Sequence, residues 1–182
     1  MNTLKTITLA LLLVILSVTG LRAEEVSFEQ LQHLWKEGKQ AYYIADYPAA
    51  LKKWEQALEL AHQAKNQQAI GTFLGTIGVV YRNLGQYQKA LSYHQQALEI
   101  RREIGDKRGE GADLTNIGVV YNSLGQYQKT LSYYQQALEI KREIGDKRGE
   151  GADLTNFGNV HQNLGQYQKA LKIGRASCRE RV

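Results

Sequence analysis

Apolar residues recur along the chain with helical spacing, and glycines separate one apolar stretch from the next. Leu114, Ile117, Gly118 and Tyr121 occupy positions i, i+3, i+4 and i+7, so they share one face of a helix that Gly125 is placed to end. A second apolar stripe follows at Tyr127, Thr130, Leu131, Tyr134, Ala137, Leu138 and Ile140. The pattern therefore predicts a helix, a tight turn and a second helix.

This two-helix pattern repeats at a fixed interval along the chain. The copies are 31–70 (diverged), 71–110, 111–150 and 151–172 (truncated). Self-similarity at such a period is typical of solenoids, in which each unit buries its apolar face only against its neighbours. We expect an all-α stack of antiparallel helix pairs over about 27–164, with three pairs and one unpaired helix.

The hexapeptide LGQYQK, which begins at 84, 124 and 164, is predicted to form the corner within each pair. Its leucine should pack as the chain turns, its glycine should permit the turn, and its tyrosine should anchor the second helix. Between pairs, Gly145 should end one helix and Asp146 should cap the next, because a carboxylate accepts hydrogen bonds from the free N–H groups of a first turn. Residues 27–30, SFEQ, form a candidate capping box for the first helix.

Close approach of the paired helices is predicted at the repeated glycines Gly78, Gly118 and Gly158. We expect these glycines to face Ala90, Thr130 and Ala170, respectively. A larger side chain there should overpack the helix contact.

The residues at equivalent positions resemble the tetratricopeptide repeat. One copy supplies Leu114, Ile117, Gly118, Tyr121, Gly125, Tyr127, Thr130, Tyr134 and Ala137. The usual unit has about 34 residues and a proline near its end. Here the unit is longer, as in 71–110, and lacks that proline, which resembles the long-repeat subclass of kinesin light chains and of bacterial and cyanobacterial scaffolds. The resemblance implies a right-handed α-solenoid that binds a peptide or protein in its concave groove.

The two ends of the chain are interpreted separately from the repeats. Residues 1–23 combine Lys5, a short apolar run and small or polar residues, which is typical of a cleaved signal peptide. The expected location is therefore periplasmic or secreted, and an uncleaved membrane anchor is the alternative. The segment 173–182, IGRASCRERV, resembles a translated sequencing adapter and is excluded from the fold analysis; a genuine basic tail is the alternative.

Most of the positive charge lies in these end segments. The whole chain carries +5, but residues 24–172 contain 18 basic and 17 acidic side chains, a net charge of +1. A body with so little net charge gives no electrostatic reason to expect nucleic acid as a partner.

The sequence shows no catalytic or metal-binding constellation. His33, His62, His94 and His161 lack metal-ligand spacing, and the last two replace aromatic residues of other copies, so they are interpreted as packing residues. GDKRGEGA, at 105–112 and 145–152, lacks the Gly-Lys-Ser/Thr of a phosphate loop and is interpreted as a turn between helices. The recurring acids Glu99, Glu103, Glu139 and Glu143 are predicted to lie on a solvated outer face, and the mixed charges of LEIRREIGDKR likewise suit a helix surface. We expect no enzymatic activity, cofactor, metal or small-molecule substrate.

The predicted inner surface is formed by the first helix of each pair. The candidate groove residues are Trp35, Lys39, Tyr42, Val79, Arg82, Asn83, Thr115, Asn116, Val119, Asn122, Thr155, Asn156, Asn159 and Gln162. In proteins that this chain resembles, asparagines of the TNxGN type hold the backbone of an extended peptide. Asn116, Asn156 and Asn159 match that pattern, whereas Val79 and Val119 depart from it.

Three hypotheses follow. The first is a non-enzymatic scaffold that binds a peptide or protein partner in the groove. The second is a regulatory or substrate-recruiting arm of a larger enzyme, such as a caspase-like protease, because bacterial proteins that resemble this one often carry such a domain. The third is self-association through the truncated apolar face of 151–172.

Overall fold

The computed structural model describes residues 28–166, 168–170 and 172–173. These residues form α-helices joined by short turns, with no strand among them, so the predicted all-α fold is confirmed. They belong to two compact units that divide between Asn66 and Gln67. The predicted signal peptide (1–23), Ser27 of the candidate capping box and residues 174–182 lie outside the described residues.

The helices follow the predicted repeat. In the first unit, α1 covers 28–43 and α2 covers Tyr47–Gln63. The second unit contains α3 (Gln67–Asn83), α4 (Tyr87–Glu103), α5 (Lys107–Ser123), α6 (Tyr127–Glu143) and α7 (Lys147–Asn163). Helical residues 168–170 and 172–173 come after α7. The predicted alternation of first and second helices is confirmed.

The LGQYQK corner ends each first helix with a left-handed glycine. Gly125 has φ of +69°, its N–H donates to the Asn122 carbonyl at 3.0 Å, and the next N–H donates to the Tyr121 carbonyl at 2.9 Å. This pair of bonds satisfies carbonyls that the helix end leaves free. The predicted role of the leucine holds in part: Leu124 packs against the core, but Leu84 is 38% exposed.

The turns between pairs begin the next helix with an aspartate cap. Asp146 accepts a hydrogen bond from the N–H of Gly149 at 2.9 Å, and Asp106 accepts from Gly109 at the same distance. The cap predicted at Asp146 is therefore confirmed. Most of GDKRGEGA belongs to the first turns of α5 and α7, so the turn itself is shorter than predicted.

In the second unit, consecutive helices pack against each other and α3 also contacts α5. The apolar core between them is built from residues of α4, α5 and α6: Ala90, Leu91, Leu98, Leu114, Ile117, Val120 and Ala137. Tyr81 stacks on Tyr93 and Tyr121 stacks on Tyr133 at its edge, with ring centroids 5.2 and 5.4 Å apart. The equivalent contacts show that one packing scheme serves both pairs.

The repeated glycines do permit close contact, and at two of them the nearest atoms belong to an aromatic ring and not to the predicted partner. A Cβ atom at Gly78 would lie 2.8 Å from the His94 ring, and one at Gly118 would lie 2.5 Å from the Tyr134 ring. The aromatic residue one turn beyond Ala90 or Thr130 projects further, so it is the ring that reaches the glycine. Gly158 does approach the predicted Ala170, whose carbonyl oxygen would lie 3.7 Å from a Cβ atom.

Candidate functional site

The candidate residues of the second unit lie on one stripe of each first helix. We call the stripes of α3, α5 and α7 together the first-helix face. It contains half-exposed and exposed side chains: Val79, Arg82, Asn83, Thr115, Asn116, Val119, Asn122, Thr155, Asn156, Asn159 and Gln162. On α5 and α7 these positions recur every three or four residues, and the opposite side of each helix packs against the second helices. The helical pattern thus places these residues on one partly solvent-exposed side of each helix.

Four amides of this face are not used by the fold. Within the described part of the chain, no hydrogen bond engages the side chains of Asn116, Asn156, Asn159 or Gln162. The Oδ1 atom of Asn122 is buried and also lacks a partner among the described residues. An unsatisfied buried acceptor costs about 1–3 kcal/mol. Donors and acceptors are therefore available along α5 and α7.

Thr115 has a different environment. Its hydroxyl lies 3.0 Å from the Gly111 carbonyl and 3.0 Å from Oδ1 of Asp153, and it receives a hydrogen bond from Nζ of Lys141 at 2.9 Å. These contacts join α5, α6 and α7. Thr115 therefore supports the stacking of consecutive repeats at the floor of the face.

On α3, the guanidinium group of Arg82 contacts the side-chain amide of its neighbour Asn83. Nε and Nη2 of Arg82 lie 3.3 and 3.2 Å from Oδ1 of Asn83. Val79 and Val119 add half-buried apolar surface at equivalent positions of α3 and α5. The face thus combines apolar, amide and cationic groups.

The three candidates of the first unit lie on α1 and pack mainly inside that unit. The half-buried rings of Trp35 and Tyr42 each lie 5.9 Å from the buried Trp54 ring, measured between centroids. Nζ of Lys39 stands 5.7 Å from the centroid of the Tyr43 ring. The aromatic rings of this cluster therefore stabilise the α1–α2 pair.

Sequence reasoning missed a buried polar network beneath the first-helix face. Asp113 is only 3% exposed, its Oδ1 lies 3.0 Å from Nδ1 of the fully buried His94, and its Oδ2 lies 3.5 Å from Nε of Arg101. In the next repeat, Oδ2 of Asp153 lies 2.7 Å from Nζ of Lys141. Arg101 is thus not the surface residue that the charge pattern predicted. Each carboxylate follows its cation at the same sequence interval, which is the one signal that could have indicated this pairing.

Burial and ion pairing shift the pKa values of the acidic groups in opposite directions. Burial raises the pKa of Asp153 above its ordinary value, although Lys141 opposes that shift. The hydrogen bond from Arg142 lowers the pKa of Glu150, and it outweighs burial. Burial also raises the pKa of Tyr134 to about 12, with the charge of Asp153 acting in the same direction.

The family assignment rests on a match that covers most of the chain. The tetratricopeptide repeat family model matches residues 32–103 and 110–179. The chain belongs to the tetratricopeptide repeat (TPR) family. No curated protein sequence matches this TPR chain.

Solved structures share the TPR fold at low sequence identity. Aspartyl phosphate phosphatase F from Bacillus subtilis matches with a TM-score of 0.80 and 20% identity, over 84% of this chain and 40% of that one. A Rap protein complexed with Competence and Sporulation Factor matches with 0.75 and 22%, over 84% and 43%. The Rap conjugation gene regulator of plasmid pLS20, in complex with a Phr peptide, matches with 0.69 and 19%, over 78% and 40%. The TPR chain thus spans about two fifths of the length of these proteins, and the likeness concerns the fold.

The described TPR residues also bear on the predictions about metal ligands and histidines. They contain no group of three or more His, Cys, Asp or Glu side chains that could hold a metal ion. His94 is buried as predicted for a packing residue, and Nδ1 of His161 lies 2.8 Å from Oε1 of Gln166. None of the described helices is long and apolar enough to cross a membrane.

Proposed function

We propose that this TPR chain is a non-enzymatic scaffold that binds an extended peptide or protein segment along the first-helix face. The observation that carries the proposal is the set of unused amides at Asn116, Asn156, Asn159 and Gln162. An amide side chain both donates and accepts hydrogen bonds, and an extended peptide backbone offers both kinds of group. Such a face would hold many sequences by their backbone.

Two structural neighbours favour this function over other uses of the fold. Both were solved as complexes, one with Competence and Sporulation Factor and the other with a Phr peptide. Because their identity to this chain is only 22% and 19%, they support a peptide as the kind of partner and say nothing about its sequence. We further propose that the chain acts outside the cytoplasm after removal of residues 1–23, which cell fractionation with N-terminal sequencing of the mature protein would test.

The test begins with peptides selected on the wild-type protein from an unbiased random library. Their affinities are then measured by fluorescence polarisation for wild type and for Asn116→Ala/Asn156→Ala. We expect the double variant to bind at least about tenfold more weakly, because two neutral hydrogen-bond pairs are removed. Gln95→Ala/Gln135→Ala removes two exposed amides from the second helices and is the matched control, for which no change is expected.

Circular dichroism melts establish that both variants remain folded. Equal affinity of wild type and Asn116→Ala/Asn156→Ala would remove these amides from the binding site. Selection of no peptide at all would refute the proposed function.

A further inference from the structure

The helices of the second unit end at two opposite edges. Consecutive helices are antiparallel and each covers 17 residues, or about 25 Å, so the LGQYQK corners lie at one edge and the turns between pairs lie at the other. We call residues 84–89 and 124–129 the corner edge, and residues 99–108 and 139–148 the turn edge. Neither edge contains a candidate residue of the first-helix face.

The acidic residues of the second unit are unevenly divided between these edges. Residues 67–98 and 114–138 contain no Asp or Glu, whereas 99–113 and 139–153 each contain five acidic and four basic residues. The corner edge exposes Lys89 and Lys129, which no ion pair engages within the described part of the chain. The corner edge is therefore positive, and each segment of 99–113 and 139–153 carries a net charge of −1.

The exposed carboxylates of the turn edge are not used by the fold. Glu99 and Glu103 of α4 are exposed, and neither has an ion pair or hydrogen bond to another described residue. Arg102 and Lys107 beside them pair instead with one buried carboxylate, that of Glu110. Carboxylates that are free to bind a cation thus occur at the turn edge and not at the corner edge.

These edge charges also oppose the dipoles of their own helices. Lys89 and Lys129 stand in the first turns of α4 and α6, and Glu103 and Glu143 are the last residues of the same helices. A helix dipole favours an anion at its start and a cation at its end. The two lysines and the two glutamates therefore do not stabilise the helices that carry them.

Exposed apolar side chains occur at the same two edges. In the described part of the second unit, the large apolar side chains that are exposed are Leu84 at the corner edge and Ile104 and Ile144 at the turn edge, each 36–38% exposed. A cleft of about 350 Å³ lies between two successive corners and is lined by Gly85, Gln86, Tyr87, Gln88, Lys89 and Leu124. The turn edge thus presents an apolar side chain next to a carboxylate, and the corner edge presents a cleft next to an ammonium group.

We infer that copies of this chain associate edge to edge, with the turn edge of one copy against the corner edge of a second copy. An isoleucine of the turn edge enters the cleft between corners, and the glutamate before it pairs with the lysine of the corner. Both edges belong to one repeat, so their contacts recur with the same spacing and strengthen each other once the first has formed. Charge complementarity sets the orientation of the two copies.

Such a contact joins two different surfaces of identical copies. It can therefore continue to further copies unless the rotation between them closes a ring. The contact leaves the candidate groove residues uncovered, so it does not depend on the proposed function.

The test is sedimentation velocity of the whole chain from about 1 μM to about 500 μM, at low and at high salt concentration. Lys89→Glu/Lys129→Glu makes the corner edge negative, and Glu103→Lys/Glu143→Lys makes the turn edge positive. Both double substitutions suit the helix dipoles, so the variants should remain folded, which circular dichroism melts verify.

Two further variants make the test specific. Lys36→Glu/Lys52→Glu changes the net charge as much as the corner variant does, but at exposed positions of the first unit. Ile104→Gln/Ile144→Gln leaves every charge in place and removes the apolar side chains of the turn edge. An equimolar mixture of the two edge-charge variants is also measured.

We expect the wild type to associate as its concentration rises, and less so at high salt. Each edge-charge variant should remain monomeric alone, and their mixture should associate, because each copy then meets an edge of opposite sign. The first-unit control should behave as the wild type does, and the isoleucine variant should associate about fivefold or more weakly.

A wild type that stays monomeric over the whole concentration series would overturn the inference. Edge-charge variants that associate as strongly as the wild type would also overturn it, and would assign self-association to another surface such as the apolar face of 151–172. An isoleucine variant that associates as the wild type does would overturn the proposed fit of side chain and cleft.

Discussion

At the scale of single residues, the carboxylate of Asp153 decides how two repeats fit together. It is fully buried, and Lys141 and Thr115 provide its polar contacts. Burial of an ion is unfavourable by several kcal/mol unless a partner compensates it. The raised pKa of Asp153 reflects that cost. Lys141 and Asp153 are thus needed together, because neither charge is easily buried alone, and their pairing is not a large net source of stability.

This requirement gives the first stability prediction. Lys141→Met leaves a buried carboxylate without its cation, so we expect the free energy of unfolding to fall by about 3–5 kcal/mol. Asp153→Asn added to that variant should recover most of the loss, because Asn removes the charge and still accepts the hydrogen bond from Thr115. Urea unfolding of the wild type, both single variants and the double variant measures the coupling. Additive losses in the double variant would contradict the prediction.

At the scale of helices, the contact between α5 and α6 depends on one missing side chain. A Cβ atom at Gly118 would stand 2.5 Å from Cε1 of Tyr134, which is closer than carbon atoms approach. By contrast, a Cβ atom at Gly111 of the same helix would lie 3.5 Å from Cγ2 of Ile140, an ordinary contact. The two glycines therefore differ in their structural role although both lie in α5.

The pair supplies a matched substitution experiment. Gly118→Ala should destabilise the second unit by about 1–3 kcal/mol, because the Tyr134 ring must move out of its packed position. Gly111→Ala should be neutral or stabilise by up to about 1 kcal/mol, because alanine favours a helix and finds room there. Thermal melts followed by circular dichroism distinguish the two. Equal effects of the two substitutions would show that helix propensity, not ring packing, dominates.

At the scale of the whole molecule, the spacing of glycines and apolar residues was enough to predict the helix pairs and their turns. The period fixes which residues share a face, so the solvent-facing position of Asn116 and Asn156 also followed from the sequence. The residue that each glycine contacts across a helix pair did not follow from the sequence. Thr130 and Tyr134 lie on the same side of α6, and only the three-dimensional packing shows that the Tyr134 ring reaches Gly118. The burial of Asp113 likewise depends on a histidine and an arginine of the preceding helix, which helical periodicity alone does not identify.

The paired carboxylates predict how the stability of the second unit depends on pH. The Arg142 hydrogen bond holds the pKa of Glu150 below its ordinary value of 4.5. Burial acts to raise the pKa of Glu110, but the bonds from Arg102 and Lys107 outweigh it and the pKa is lowered. A lowered pKa means that the folded state favours the charged form, so this stabilisation is present above pH 4.5 and is lost as the pH falls through the folded-state pKa. Because its pKa is raised, Asp153 favours its neutral form in the folded state, and its contribution to stability therefore increases as the pH falls.

We therefore expect protonation of Glu110 and Glu150 to lower the stability on acidification, while protonation of Asp153 acts in the opposite direction. Glu150→Gln should flatten the dependence, because glutamine does not titrate, and Glu143→Gln on the exposed surface should leave it as in the wild type. Urea midpoints measured between about pH 7 and about pH 3 test this. A Glu150→Gln curve parallel to that of the wild type would mean that the ion pairs of Glu150 are too weak to couple folding to protonation.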